Sequence, residues 1–330
     1  MSASHSFSKQ SSSSASRAKF LSSSATTFLA TVCGILTASA LDPSDPDTCV
    51  AHAAAMTTKT NNNNNPRYID QELQMNYGDT NHPRYRGVLV RRFTGDNTPY
   101  SFPIRPIKLL KEWPPGDPPF TAQDFDRVDP SPDAQFYTLP KLVYHIDEPA
   151  VAALTQYYRQ SIPAGSEILD ICSSWVSHYP LEFPKTMKRI CATGMNALEL
   201  QFNDQVTGGY TTTDLNVNPK LPYPDESFDV VTCVVSIDYL IHPIQVLQEV
   251  HRVLRPGGKV IISQSNRCFP TKAIAMWLNM NDRQHLELIN GFFQYAGGYE
   301  EPRQAFDITA TLPDNGYRDP MFIVQATKKL

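Results

Sequence analysis

Residues 140–330 alternate between short apolar runs and stretches with a helical period, and this alternation constrains the fold more than any other feature of the chain. Such runs suit strands buried on both faces, and a strand–helix–strand order makes consecutive strands parallel. The pattern predicts a Rossmann-like doubly wound α/β domain with a mostly parallel sheet. The last two runs flank Pro313-Asp-Asn-Gly316 and predict a terminal antiparallel hairpin. The predicted strands cover residues 167–172, 189–193, 209–213, 228–235, 259–263, 304–309 and 321–327, and the predicted helices cover residues 148–160, 243–254 and 271–278.

The first 40 residues have the composition of a cleavable targeting segment. They contain no Asp or Glu and lead through a Ser-rich stretch into an apolar run, 28–36, that is too short to span a bilayer. Ala38-Ser-Ala40 is typical of a signal-peptide cleavage site, so we expect cleavage before Leu41 and no stable membrane anchor afterwards. Leaders of algae with complex plastids look similar, which favours a plastid location reached through an ER-type signal peptide. Secretion or an endomembrane location, and a plain disordered tail, are the alternatives.

Two further segments separate this leader from the domain. Residues 41–66 include five consecutive asparagines at 61–65, and we expect them to form a disordered linker because they cannot bury apolar surface. Residues 67–139 have short, broken patterns punctuated by prolines, with one candidate strand at 86–93. This composition indicates a loop-rich accessory region.

Charge and cysteine content argue against several classes of function. The formal net charge of −4 gives no reason to expect binding to nucleic acid or to an anionic membrane surface. The six cysteines form no Cys-x-x-Cys pair and no clustered spacing with histidine, so we expect neither a metal site nor a disulfide framework. The absence of a disulfide framework favours a reducing compartment, and the oligomeric state is left open.

Two motifs in the second half of the predicted domain are specific. The first is Leu221-Pro-Tyr-Pro-Asp-Glu-Ser-Phe-Asp-Val-Val-Thr232, and the second is Glu249-Val-His-Arg-Val-Leu-Arg-Pro-Gly-Gly-Lys-Val-Ile-Ile262. Together, in this order and at this separation, they resemble the type 11 group of class I S-adenosylmethionine-dependent methyltransferases. The resemblance covers residues 168–328. The Pro256-Gly257-Gly258 turn is a structural part of the motif, because glycine supplies the positive φ that a sharp helix-to-strand turn requires.

The resemblance implies where S-adenosylmethionine would bind. In the family the first strand ends in Asp-x-Gly-x-Gly, whereas this chain has Asp170-Ile-Cys-Ser-Ser, so both glycines are replaced. The second strand of the family ends in an acidic residue that binds the ribose, and Asn196 stands in that place. Asp214 and Leu215 match the contacts to the adenine. The implied cofactor-binding residues are thus Asp170, Cys172, Ser173, Ser174, Asn196, Asp214 and Leu215.

The acceptor side follows the fourth and fifth of the parallel strands. Family members place substrate-facing residues there, which makes Ser236, Asn266 and Arg267 candidate substrate contacts. Methyl transfer to a hydroxyl or amine also needs a base, and Asp238 or His242 would be that base. Each of these residues could instead simply cap a helix, and Arg267 could pair with Asp238.

The sequence therefore predicts S-adenosylmethionine-dependent methyl transfer to an unidentified, small-molecule acceptor. The alternative is a catalytically inactive methyltransferase fold that serves as a scaffold or assembly factor. A cysteine hydrolase built on Cys172 and His178 is disfavoured because Gly-x-Ser-x-Gly is absent, and a nicotinamide dehydrogenase because Gly-x-Gly-x-x-Gly is absent.

Overall fold

The computed structural model describes residues 101–311 and 318–330. The predicted leader (1–40), the linker (41–66), the candidate strand at 86–93 and the turn at 313–316 lie outside the described residues. In the described part, none of the helices combines the length and the apolar character that crossing a membrane requires.

An eight-stranded mixed sheet organises the described residues, in the order β1-β7-β8-β6-β5-β2-β3-β4. Its parallel part runs from β6 to β4, with β2 at the centre of the doubly wound topology. β8 lies antiparallel between β6 and β7, which forms the terminal hairpin. The strands are β1 Arg105–Ile107, β2 Glu167–Ile171, β3 Arg189–Gly194, β4 Tyr210–Thr212, β5 Phe228–Val234, β6 Leu254–Gln264, β7 Gln304–Asp307 and β8 Phe322–Thr327. The predicted fold class, including the antiparallel hairpin, is confirmed.

Helices cover both faces of this sheet. The α-helices are α1 Asp133–Phe136, α2 Glu148–Ser161, α3 Phe183–Thr186, α4 Ala197–Gln201, α5 Pro243–Val253, α6 Ala275–Leu278 and α7 Asp282–Ala296; the 3-10 helices are η1 Ala122–Phe125 and η2 Ile237–Tyr239. The side chain of Asp147 caps α2 by accepting a hydrogen bond from the N–H of Ala150, and Pro149 is tolerated in the first turn.

One predicted helix is shorter in the structure, and one helix of the structure was not predicted. The predicted helix over 271–278 is only α6, because Ile274 has an extended backbone and acts as its N-cap residue. The longest helix described, α7, was not predicted. It begins at a capping box made by Asn281 and Gln284 and ends at Gly297, whose φ is +73°.

Adjacent residues of the central strands point into different hydrophobic clusters, which is the packing signature of a doubly wound sheet. Leu169 of β2 belongs to a cluster that includes buried side chains of α5 and α7. Its neighbour Ile168 belongs to a second cluster, which includes buried side chains of α2. Because helices cover both faces of the sheet, a ligand would bind at the carboxyl ends of the parallel strands.

Residues 101–139 pack against the domain instead of forming a separate layer. β1 extends the sheet by pairing with β7. The indole N–H of Trp113 donates to the carbonyl of Glu287 on α7 at 3.1 Å. Gly291 allows this approach, since a Cβ there would lie 2.5 Å from the Trp113 ring.

The predicted Pro-Gly-Gly turn has the expected backbone, although it lies within β6. Gly257 has a φ of +73°, and a Cβ on Gly258 would lie 2.7 Å from the carbonyl oxygen of Arg255. Both positions therefore need glycine for local structure, as the sequence predicted.

Candidate functional site

A cavity of about 470 Å³ opens at the carboxyl ends of the parallel strands β2 to β5. Its walls come from the loops after these strands, from the loop after β6, and from the segment that connects α1 to α2. A crevice at this edge of a parallel sheet is the usual ligand position in doubly wound folds.

The loop after β2 forms the floor of the cavity. Asp170, which is 2% exposed, accepts hydrogen bonds from Ser173 Oγ at 2.7 Å and Thr232 Oγ1 at 2.9 Å. Burial raises the pKa of Asp170 to about 6, and these hydroxyl donors oppose that rise. No helix begins at Ser173 or Ser174, and the chain continues without helix to Phe183. Ser173 and Ser174 therefore lie in a loop.

Cys172 occupies the first glycine position of the implied loop and takes a glycine-like backbone conformation. Its φ is +53°, in the left-handed region that side chains with a Cβ adopt at a cost of roughly 1–2 kcal/mol. Its side chain lines the cavity and packs against the buried cluster under β2 and β5. The loop thus has a backbone conformation that glycine would also allow, and the thiol of Cys172 lies at the floor of the cavity.

Asn196 does not line the cavity. Its Oδ1 accepts the N–H groups of Leu198 and Glu199 as the cap of α4, and its Nδ2 donates to the carbonyl of Tyr137 at 2.7 Å. Because all of these partners belong to the protein, the side chain of Asn196 stabilises the local structure and does not face a ligand. The structure therefore corrects the placement of Asn196 as a cavity residue.

Asp214 and Leu215 lie where the sequence predicted, at the end of β4 and on the wall of the cavity. One carboxylate oxygen of Asp214 accepts the N–H of Asn216 at 2.9 Å in a local turn. Among the described residues, its other oxygen has no hydrogen-bond partner. Leu215 is 5% exposed and supplies an apolar surface beside it.

The predicted acceptor-side residues divide into two groups. Ser236 and Arg267 line the cavity, whereas Asn266, Asp238 and His242 do not. Asp238 is 3% exposed, and burial raises its pKa to about 8, so it is protonated at neutral pH. His242 is exposed at the start of α5. This placement corrects the expectation that either residue faces an acceptor.

Arg267 pairs with an unpredicted partner. Its Nε lies 2.7 Å from Oδ1 of Asp319, a residue that is 1% exposed and also lines the cavity. The pairing with Asp238 that the sequence left open is therefore not the one formed.

Several residues that line the cavity were not predicted from the sequence, among them Tyr137, His145 and Glu199. Tyr137 and His145 come from the segment before α2, and no local pattern marks them because the fold alone brings this segment over the strand ends. Glu199 follows Asn196 by three residues, a spacing that marks a helix start and could have drawn attention to it.

Known proteins resemble part of this chain. Residues 176–262 match the type 11 methyltransferase family model, described as "Methyltransferase domain". The demethylmenaquinone methyltransferase of Bacillus mycoides is 29% identical over 120 residues, which are 32% of this chain and 47% of that protein. The mitochondrial 2-methoxy-6-polyprenyl-1,4-benzoquinol methylase of Mus musculus is 50% identical over 42 residues, 13% of each chain. A solved methyltransferase of Thermotoga maritima, titled a possible histamine N-methyltransferase, aligns at a TM-score of 0.41 and 17% identity, covering 55% of this chain and 90% of that one.

Residues 176–262 belong to a class I methyltransferase domain. The resemblance inferred from the two motifs is thereby confirmed, and S-adenosylmethionine is the cofactor that this family uses. The chain spans less than half the length of the curated relatives named here.

The methyltransferase domain has the features that S-adenosylmethionine requires. The cavity volume lies in the range of about 300–1,000 Å³ that is usual for small-molecule sites. Cys172, at the first glycine position of the family motif, has a φ of +53°, a backbone conformation that glycine adopts readily. Gly194 lets this loop pass close to the end of β3, because a Cβ there would lie 2.1 Å from the Ser173 carbonyl oxygen. The open oxygen of Asp214 and the side chain of Leu215 suit an adenine amine and ring. The residues present therefore fit the cofactor.

The described residues contain no group of three or more His, Cys, Asp or Glu side chains arranged to hold a metal ion. Cys172, Cys191, Cys233 and Cys268 are free thiols.

Proposed function

We propose that this protein transfers a methyl group from S-adenosylmethionine to a small, planar ring compound such as a hydroquinone. The observation that carries the proposal is the retained cofactor loop, in which Cys172 adopts a φ of +53° beside an open cavity. Strained backbone conformations cluster at ligand-binding sites, so a strained residue on the cavity floor favours a protein that binds a ligand over a scaffold.

The acceptor side of the cavity has an aromatic wall. The ring of Phe269 lies 5.6 Å from that of His145, 5.2 Å from that of Phe136 and 6.1 Å from that of Tyr239, measured between ring centres. Aromatic rings favour offset or edge-on packing against one another, so such a wall suits a planar ring. The names of the two relatives above specify quinone and benzoquinol substrates, which supports the same acceptor class.

His145 is the side chain best placed to take a proton from the acceptor. It lines the cavity, and its ring nitrogens have no hydrogen-bond partner among the described residues. Burial lowers the pKa of His145 to about 4, so the imidazole is uncharged at neutral pH and a ring nitrogen can accept a hydrogen bond from an acceptor hydroxyl, although it is a weaker base than an exposed histidine. S-adenosylmethionine supplies an electrophilic methyl group, and a ring hydroxyl that hydrogen-bonds to His145 would become a better nucleophile.

Calorimetric titration of the full chain with S-adenosylmethionine and S-adenosylhomocysteine tests the cofactor. We expect micromolar dissociation constants. If a protein shown by circular dichroism to be folded failed to bind either compound at millimolar concentration, the inactive scaffold would become the better description. Formation of S-adenosylhomocysteine with a soluble naphthohydroquinone then tests the acceptor class.

The variant His145→Asn tests the proposed base. Asparagine tolerates the left-handed backbone of this position, where φ is +65°, better than most residues do. We expect cofactor affinity to stay within about twofold and the transfer rate to fall on the order of 100-fold. His242→Asn, which alters an exposed histidine outside the cavity, is the matched control and should leave the rate unchanged. Equal rates in both variants would show that His145 takes no part in the methyl transfer.

A further inference from the structure

Glu199 is a buried carboxylate on the wall of the cofactor cavity, and neither family motif includes it. It is 2% exposed. Its Oε2 accepts a hydrogen bond from Ser174 Oγ at 2.7 Å, and its Oε1 accepts the N–H of Lys141 at 2.5 Å. The carboxylate thus joins the loop after β2 to the segment before α2, with α4 between them.

The orientation of Glu199 departs from the usual role of its position. A glutamate three residues after an N-cap residue normally bonds back to the N-cap N–H in a capping box. Here Asn196 caps α4 with its own side chain, but Glu199 does not return the bond and reaches instead toward Ser174. The carboxylate of Glu199 therefore lies at the cavity wall and does not cap the start of α4.

Two departures from the family pattern, Ser174 and Asn196, each hydrogen-bond to Glu199. Ser174 stands at the second glycine position, and Asn196 stands where the family has its ribose-binding acid. Asn196 is occupied by its cap and by the Tyr137 carbonyl. Glu199 lies one helical turn further on and supplies an acid at the same end of β3.

We propose that Glu199 takes over the ribose-binding role that Asn196 cannot perform, with Ser174 holding its carboxylate in place. This inference rests on the proposed function, because it assumes that S-adenosylmethionine binds in the cavity. Each carboxylate oxygen can accept two hydrogen bonds, and each has one protein donor, so both retain capacity for a sugar hydroxyl. Hydrogen bonds to an ionised carboxylate are roughly twice as strong as hydrogen bonds between neutral groups. A contact between Glu199 and the ribose would therefore contribute to the affinity for the cofactor.

The test compares two ligands with three forms of the full chain by calorimetry. The ligands are S-adenosylhomocysteine and its 2′,3′-dideoxyribose analogue, which differ only in the sugar hydroxyls. The forms are the wild type, Glu199→Gln and Glu287→Gln. Glu287 is a matched control, since it is 8% exposed and accepts backbone N–H groups of Leu110 and Lys111 away from the cavity.

We expect Glu199→Gln to weaken binding of S-adenosylhomocysteine about tenfold and to leave binding of the dideoxy analogue unchanged. Glu287→Gln should change neither affinity, and the melting temperatures of all three forms are measured alongside as a check on folding. Equal losses for both ligands in Glu199→Gln, or no loss for either, would overturn the proposal. Failure of the wild type to bind S-adenosylhomocysteine at all would instead overturn the proposed function, and this role of Glu199 with it.

Discussion

Nη1 of Arg127 lies 2.7 Å from one carboxylate oxygen of Asp133 and 2.8 Å from the other, and both side chains are less than 10% exposed. Lys272, from the loop that precedes α6, approaches the same carboxylate at 3.4 Å, and Asn216 donates to it at 2.9 Å. Asp133 therefore ties the accessory segment to two loops of the methyltransferase domain. Because Asp133 also lines the cavity, this ion cluster holds one wall of the site in place.

Asp133→Asn should destabilise the protein by about 3–5 kcal/mol, because it leaves two buried cations with too little negative charge. Denaturant unfolding measures the change. Asp129→Asn is the control, since Asp129 contacts Lys272 at 3.1 Å but its side chain is 36% exposed, and the loss there should be clearly smaller. Equal losses would show that the cluster does not depend on Asp133.

Asn196→Asp restores the acid of the family sequence but should not improve cofactor binding. Aspartate caps a helix as well as asparagine does, yet it cannot donate to the Tyr137 carbonyl, and it places a second carboxylate close to Glu199. We expect a loss of about 1 kcal/mol in unfolding free energy and no gain in affinity for S-adenosylmethionine. Tighter binding by this variant would show that position 196 faces the ribose after all.

Cys172→Val should be less stable than Cys172→Gly by about 2 kcal/mol. Residue 172 has a φ of +53°, a conformation that glycine adopts freely and a β-branched side chain resists. Urea unfolding of the two variants gives the difference directly. Comparable stabilities would mean that the loop relaxes to an ordinary backbone conformation, and the conformation of Cys172 would then no longer support cofactor binding.

The sequence predicted the fold well because the parallel strands are marked by composition alone. Strands such as β2 and β5 are buried on both faces and therefore appear as continuous apolar runs. α7 was missed because its start signal at Asn281 is polar and its buried face includes Glu287 and Asn290, which weakens the apolar period.

The candidate site was predicted less completely, for a different reason. Asp214 and Cys172 were named because the family resemblance assigns cofactor contacts to the residues that follow these strands, where parallel sheets of this kind bind ligands. Tyr137 and His145 were not found because a segment remote in sequence crosses the strand ends, and only tertiary packing brings it there. Asp238 also follows a strand, but its side chain turns into the core, and no sequence rule sets that direction.

Asp238→Asn should become progressively more stable than the wild type as the pH rises from about 4 to about 8. Burial raises the pKa of Asp238 from 3.8 to about 8, so in this window the folded protein keeps a proton that the unfolded chain has lost. The folded state then binds more protons than the unfolded state, and stability falls with rising pH. The contribution of one such group changes by at most about 1.4 kcal/mol per pH unit.

Urea unfolding of both proteins across this pH range measures the effect, and the difference between them isolates Asp238 from other groups. Asp170 contributes in the same direction between about pH 4 and 6, and His145 in the opposite direction, but both are present in each protein. The difference should level off above about pH 8, where Asp238 is ionised in both states. A difference that stays constant with pH would show that Asp238 is already ionised in the folded protein, and that a buried cation or water stabilises its charge.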